Sequence, residues 1–127
     1  MTPGRLLLDT HIFLWWRSEP TRLDSKVRDS IARADLVFVS VASAWEAAIK
    51  VSLGRLELPD TIEAGVLASG FEKLLIAFSH AEHAARLPLH HRDPFDRMLV
   101  AQARAEGLTL VTHDRLLEPY EVEILWA

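Results

Sequence analysis

The chain has 127 residues, half of them hydrophobic, with 14 basic and 18 acidic side chains and a net charge of −4. That size suits one compact domain with one core, expected over residues 1–127. The lack of cysteine excludes disulfides, thiolate metal sites and cysteine nucleophiles, and the lack of a long apolar run excludes a membrane span.

The opening MTPGRLLLD does not have the layout of a signal peptide, so a cytoplasmic protein is expected. Arg5 to Leu8 is short and apolar and reads as a buried strand ending at Asp9. Ile12 to Arg17 starts a helix that Glu19-Pro20 closes, and Asp24 caps a helix through Arg33 with Val27 and Ile31 inward. Leu36 to Val39 is a second buried strand. A helix from about Ala42 to Ser52 follows, with Gly54 as its stop. Leu56 to Pro59 connects to a helix over Thr61 to Ser69, ended by Gly70. Leu74 to Phe78 is a third strand, and Ser79 caps a short helix running to Leu87. Asp93 caps the next helix, with Pro94 in its first turn and Gly107 after its last residue, Glu106. Thr109 to Thr112 is a fourth strand and Val122 to Leu125 a fifth. Strands alternating with helices imply an α/β fold, a parallel sheet covered on both faces.

In such sheets, sites form at the carboxyl ends of strands. Asp9 ends the first strand and Asp114 follows the fourth. Glu46 lies one turn into the helix after the second strand, and Asp96 lies in the first turn of the helix leading to the fourth. All four can reach one edge. Each has an ordinary reading too: Asp9 as a helix cap, Asp96 as a complement to the helix dipole, Glu46 as a solvated helix residue, Asp114 as a turn starter. Four crowded carboxylates repel one another, and a divalent cation removes that conflict. An all-oxygen set favours Mg²⁺ or Mn²⁺, as one or two ions, over zinc. The matching chemistry is phosphodiester hydrolysis by a metal-activated water.

Other residues stand beside these acids. The hydroxyls of Thr10, Ser40 and Thr112 are expected to support them, with helix capping the plainer role for Ser40. Lys50 is four residues from Glu46, an ion-pair partner or a phosphate contact. Arg92, Arg97 and Arg115 border the acidic motifs and are candidate contacts to the phosphate backbone of a nucleic-acid substrate. His11 and His113 adjoin acids, and His90-His91 reads as a solvated loop pair whose rings point apart. Of Trp15 and Trp16, one is expected in the core and the other at a dimer or partner groove, while Trp45 reads as core packing.

Four segments, LLLDTHIFLWW, VSVASAWEAAIK, HHRDPFDRMLVAQA and LTLVTHD, in this order and spacing, resemble the PIN-domain ribonucleases, and among them the VapC-like toxins of bacterial toxin–antitoxin pairs. The resemblance covers nearly the whole chain. It assigns the acid roles to Asp9, Glu46, Asp96 and Asp114 and leaves Asp93 as a helix cap. It implies a three-layer domain with a four- or five-stranded parallel sheet, dependence on Mg²⁺ or Mn²⁺, cleavage of RNA, a homodimer and a cognate antitoxin. Two other readings compete. One is a non-catalytic RNA-binding or protein-interaction module on the same fold, which gains nothing from an acidic pocket facing RNA. The other is a phosphatase of the haloacid-dehalogenase kind, which needs an acid two residues after Asp9, where this chain has His11.

Overall fold

A computed structural model describes residues 4–127; Met1 to Pro3, which open the expected domain and the expected leaderless N-terminus, lie outside the described residues. Strand β1 (Arg5–Leu8) leads into helix α1 (Thr10–Ser18), a 3₁₀ turn (Pro20–Arg22) and helix α2 (Ser25–Arg33). Strand β2 (Leu36–Ser40), helix α3 (Val41–Ser52), helix α4 (Ile62–Ala68) and strand β3 (Glu72–Leu74) follow. Helices α5 (Phe78–Arg86) and α6 (Pro94–Glu106) run into strand β4 (Thr109–Thr112), a second 3₁₀ turn (Arg115–Leu117) and strand β5 (Ile124–Trp126). The five strands form one sheet in the order β3-β2-β1-β4-β5, every pair parallel.

Alternation along the strands builds the two sides of the core. Leu6 and Leu8 of β1 join Val37, Val39 and Val111 on one face, beneath Ile12, Phe13, Val27, Ile31 and Val66 from α1, α2 and α4. Leu7 and Leu110 face the other way, against Ala42 of α3 and Leu99, Val100 and Ala103 of α6. The result is three layers, with the sheet buried between helices as an all-parallel sheet requires.

The sheet's topology places the site. The chain moves outward from β1 through β2 to β3, then returns to put β4 on the other side of β1, in the register Leu6↔Thr109 and Leu8↔Val111. The carboxyl ends of β1 and β4 therefore flank the point where strand order reverses, where neighbouring loops diverge and leave a crevice.

Several elements differ from the sequence reading. Helix α1 starts at Thr10, not Ile12, because Asp9 caps it through the Ile12 N–H. The third strand is Glu72–Leu74, not Leu74 to Phe78. As an edge strand it is set by pairing with Phe38–Ser40, and its exposed Glu72 and Lys73 suit an unpaired edge. Most of the apolar run that suggested a strand lies in solvent, with Leu75 69% and Phe78 92% exposed. Helix α5 starts one residue before the proposed Ser79 cap, because the His80 ring accepts the Ala77 N–H through Nδ1 at 3.0 Å. The last strand sits slightly later than expected, at Ile124–Trp126. The two 3₁₀ turns carry no sequence signal that the periodicity reading used.

Candidate metal centre

Asp9, Glu46, Asp96 and Asp114 line one cleft of about 320 Å³ at this crevice, joined by Asp93 and His91. Asp9 is buried. Its Oδ1 accepts the Ile12 N–H at 2.9 Å, capping α1, and its Oδ2 accepts the Thr112 hydroxyl at 2.6 Å. The cap and the site are thus one arrangement: the bond that starts α1 also aims the carboxylate. Thr112 Oγ1 in turn accepts the Asp114 N–H at 3.1 Å, so one buried hydroxyl ties the two strand-end acids together.

Glu46 is held from the opposite side. The Thr10 hydroxyl donates to its Oε1 at 2.6 Å and lies 3.0 Å from the buried Ser43 hydroxyl. A hydroxyl has one proton, so Ser43 donates into Thr10 while Thr10 donates to Glu46. Lys50 Nζ lies 3.6 Å from Glu46 Oε2 and 3.5 Å from His11 Nε2, which makes it the ion-pair partner that the spacing of four suggested. Asp93 caps α6, accepting from Phe95 N at 2.8 Å and Asp96 N at 3.3 Å, and so orients the turn that carries Asp96. Asp114 accepts the Leu116 N–H at 3.0 Å and caps the 3₁₀ turn after β4.

The electrostatics show the conflict expected of crowded acids. Burial pushes the Asp96 carboxyl up to about 7; the charges of Asp93, Asp9 and Glu46 add to the rise and His91 opposes it. Burial also raises Asp9, against the downward pull of Thr112, the Ile12 N–H, His11 and His113. The donor set is mostly carboxylate oxygen, poor in neutralising cations and open on one side. It therefore suits a hard divalent cation: ligand atoms of His91, Asp96 and Asp114 lie within 4.8 Å of one another, and Asp9 and Glu46 line the same cleft.

Several expected residues play other parts. Ser40 is buried at the end of β2 and its hydroxyl accepts the Ala42 N–H at 3.0 Å, so it caps α3 and does not support an acid. Arg97 does not face the cleft as an RNA contact. Its guanidinium donates to the carbonyls of Ala84, Leu87, Pro88 and His91 and to the Tyr120 hydroxyl at 2.9–3.3 Å, pinning the α5–α6 connection. Arg115 borders the cleft and stacks its guanidinium over Trp126 at 4.1 Å, while exposed Arg92 lies on an adjoining groove with Lys50 and Arg55. Trp45 is 62% exposed, not core, and meets Phe95 edge-on at 5.3 Å. Trp15 and Trp16 both pack half-buried on the rim of one core cluster, Trp16 against Phe71 and Trp15 against His113.

Sequence reasoning missed two residues. Ser43 sits one helical turn before Glu46, a spacing that could have flagged it. His91 is not a solvated loop residue: its Nε2 stands 2.9 Å from Asp114 Oδ2 and 3.0 Å from Asp96 Oδ2. Its neighbour His90 turns the other way and packs on Tyr120, as adjacent rings do.

A parallel α/β domain with four acids at its topological switch defines a class of acidic metal-site domains. The model of the PIN domain matches residues 6–121, and the chain belongs to that family. Over 118 residues it is 34% identical to Ribonuclease VapC22 of Mycobacterium tuberculosis, covering 91% of each chain. Its fold is that of VapBC2 from Rickettsia felis bound to a promoter DNA fragment, with a TM-score of 0.71 at 16% identity over 97% of this chain and 98% of that one. It also matches DNA-bound VapBC from Salmonella typhimurium, with a TM-score of 0.65 at 19% identity over 98% of both chains.

Proposed function

We propose that this protein is a metal-dependent endoribonuclease that acts as the toxin of a toxin–antitoxin pair. The convergence of Asp9, Glu46, Asp96 and Asp114 on one cleft carries this reading. A relative at 34% identity that is named a ribonuclease supports RNA as the substrate. Mg²⁺ or Mn²⁺, as one or two ions, would be held by these four acids. When bound, it supplies Lewis acidity and charge neutralisation at the scissile phosphate.

The chain's own residues supply position. Thr112 and the Ile12 N–H fix both oxygens of Asp9, and Thr10, itself steadied by Ser43, fixes one oxygen of Glu46. Fixed dipoles do not reorganise as charge develops, and that is where electrostatic catalysis gains. Lys50, Arg92 and Arg115 edge the acidic cleft and its neighbouring groove and offer contacts to flanking phosphates, which a chain of net charge −4 must provide locally.

A cognate antitoxin and a homodimer belong to the same proposal. Solved structures of similar fold include a toxin–antitoxin complex from Klebsiella pneumoniae and a member of the VapBC family of toxin–antitoxin systems from Mycobacterium tuberculosis, and Trp45, Leu53 and Phe78 are large apolar side chains left in solvent. Among the described residues no helix is long and apolar enough to cross a membrane, and the chain lacks cysteine, which suits action in the cytoplasm.

The test is single-turnover cleavage of total cellular RNA by purified, antitoxin-free protein with Mg²⁺, with Mn²⁺ and with chelator. Asp9→Asn should lower the rate at least ~100-fold, the scale of losing a charge-stabilising group. Cleavage that survives chelator, or that persists in Asp9→Asn, would overturn the metal-site reading. A folded protein that binds RNA without cutting it would favour the non-catalytic module.

A further inference from the structure

We propose that His91 is a positioning residue, a bridge that donates its Nε2 proton to Asp114 and sits against Asp96, and not a ligand of the metal. Its Nε2 stands 2.9 Å from Asp114 Oδ2 and 3.0 Å from Asp96 Oδ2. Two readings share these distances. Carboxylate oxygens and an imidazole nitrogen this close could all bind one ion, or the nitrogen could donate its proton to the acids.

The other ring nitrogen separates them. Nδ1 accepts the Asp93 backbone N–H at 3.3 Å. A ring nitrogen that accepts carries no proton, so in the neutral ring the proton is on Nε2. A metal on Nε2 would need the opposite tautomer and would set the Nδ1 proton against the Asp93 N–H. The backbone of His91 is fixed as well: its N–H donates to the Tyr120 hydroxyl at 3.0 Å and its carbonyl accepts from Arg97 at 3.2 Å. The residue is therefore held by three contacts, one on the ring and two on its backbone, before any ion arrives.

Each acid also keeps lone pairs for a cation. Asp96 Oδ1 accepts no hydrogen bond among the described residues, and Asp114 Oδ1 takes only the Leu116 N–H. A histidine N–H donated to one ligating carboxylate, with the ring packed against a second, sets their spacing. This explains how two acids from separate segments, the first turn of α6 and the end of β4, stay together without a cation between them.

The inference rests on the metal-site reading only for what the bridge serves; the bridge itself can be read in the metal-free protein. Long-range ¹H–¹⁵N NMR of the full chain should show the His91 ring as the Nε2–H tautomer, both metal-free and with saturating Mg²⁺. An Nδ1–H ring in either state overturns the proposal. Calorimetric titration with Mn²⁺ then separates donor from ligand. His91→Ala should weaken binding by about 10-fold or more, the usual cost of losing a partner of a ligating group. His91→Gln places an amide N–H near the position of Nε2 and should recover affinity to within about threefold of wild type, by the same logic of a retained donor. Equal losses in both variants would mark His91 as a ligand, and no loss in either would mark it as a bystander; each result overturns the bridge. A wild-type protein that binds no Mn²⁺ would fail the metal-site reading, while the tautomer would still decide the bridge.

Discussion

Asp96→Asn should make the metal-free protein more stable, and increasingly so as pH rises. Asp96 is pushed up to about 7 in the folded state, from an ordinary 3.8, chiefly by burial and then by Asp93 and Asp9. The folded protein therefore holds this proton more tightly than the unfolded chain does. The stability that the group contributes is complete below about pH 3.8, declines as pH rises, and is lost once pH passes about 7. At ~1.4 kcal/mol per pH unit, the penalty grows by about 2–3 kcal/mol between pH 5 and pH 7 and then levels off. Asparagine has no such proton to lose. Against this gain stands the lost interaction of a first-turn carboxylate with the α6 dipole, ~0.3–1 kcal/mol, which is too small to reverse the sign. The assay is urea unfolding of both proteins in chelator from pH 5 to pH 8. The gap should open by about 2–3 kcal/mol over that range, and Mg²⁺ at pH 8 should narrow it, because a bound cation stabilises the ionised carboxylate against both burial and its acidic neighbours. Parallel pH profiles would refute the reasoning and mean that Asp96 is solvated in the folded protein.

Two further expectations concern groups around the site. Thr112→Val removes the donor to buried Asp9 and the acceptor for the Asp114 N–H, and should cost ~1–3 kcal/mol in urea unfolding and weaken Mn²⁺ binding; Thr112→Ser should restore both. Arg97→Ala should cost on the order of 3 kcal/mol, because it strips a charged donor from four carbonyls and the Tyr120 hydroxyl, yet leave RNA affinity of the folded protein unchanged in a filter-binding assay.

The fold was legible where local and tertiary signals agree. β1, β2 and β4 are short apolar runs that end in a cap or a turn, and each is central and buried on both faces, so hydrophobicity alone locates it. β3 was misplaced because an edge strand answers to its one neighbour. Its polar Glu72 and Lys73 carry no apolar signal, while the apolar Leu75, Ile76 and Phe78 lie exposed. The four acids were legible because Asp9 and Asp114 follow strand ends, Asp96 lies in a first helical turn and Glu46 lies one turn into the helix after β2, positions that topology brings to one edge. His91 was not. Its role depends on the backbone anchors from Tyr120 and Arg97, which lie 29 and 6 residues away, and no local pattern encodes that aim. Arg97 failed in the opposite direction: proximity to DPFD along the chain suggested the cleft, but one residue along a helix turns a side chain by about 100°, and Asp96 and Arg97 face apart.

The hydrogen bonds around the acids and the pKa shifts within them describe one compromise. A carboxylate cluster poised for a cation is unfavourable without one, as the rise at Asp96 shows. Left to side-chain rotamers, the acids would swing toward water. Here Asp9 is locked by a helix cap and a buried hydroxyl, Glu46 by the Ser43–Thr10 relay, and Asp114 by a cap of its own. Two of these bonds also begin α1 and the turn after β4, so releasing Asp9 or Asp114 would cost a helix start of ~1 kcal/mol as well as a hydrogen bond. The repulsion is thereby held against elements that the hydrophobic layers already fix, and the free energy a cation would relieve becomes part of its affinity. A variant that loosens any of these locks should relax the cluster first and lose metal affinity before it loses the fold.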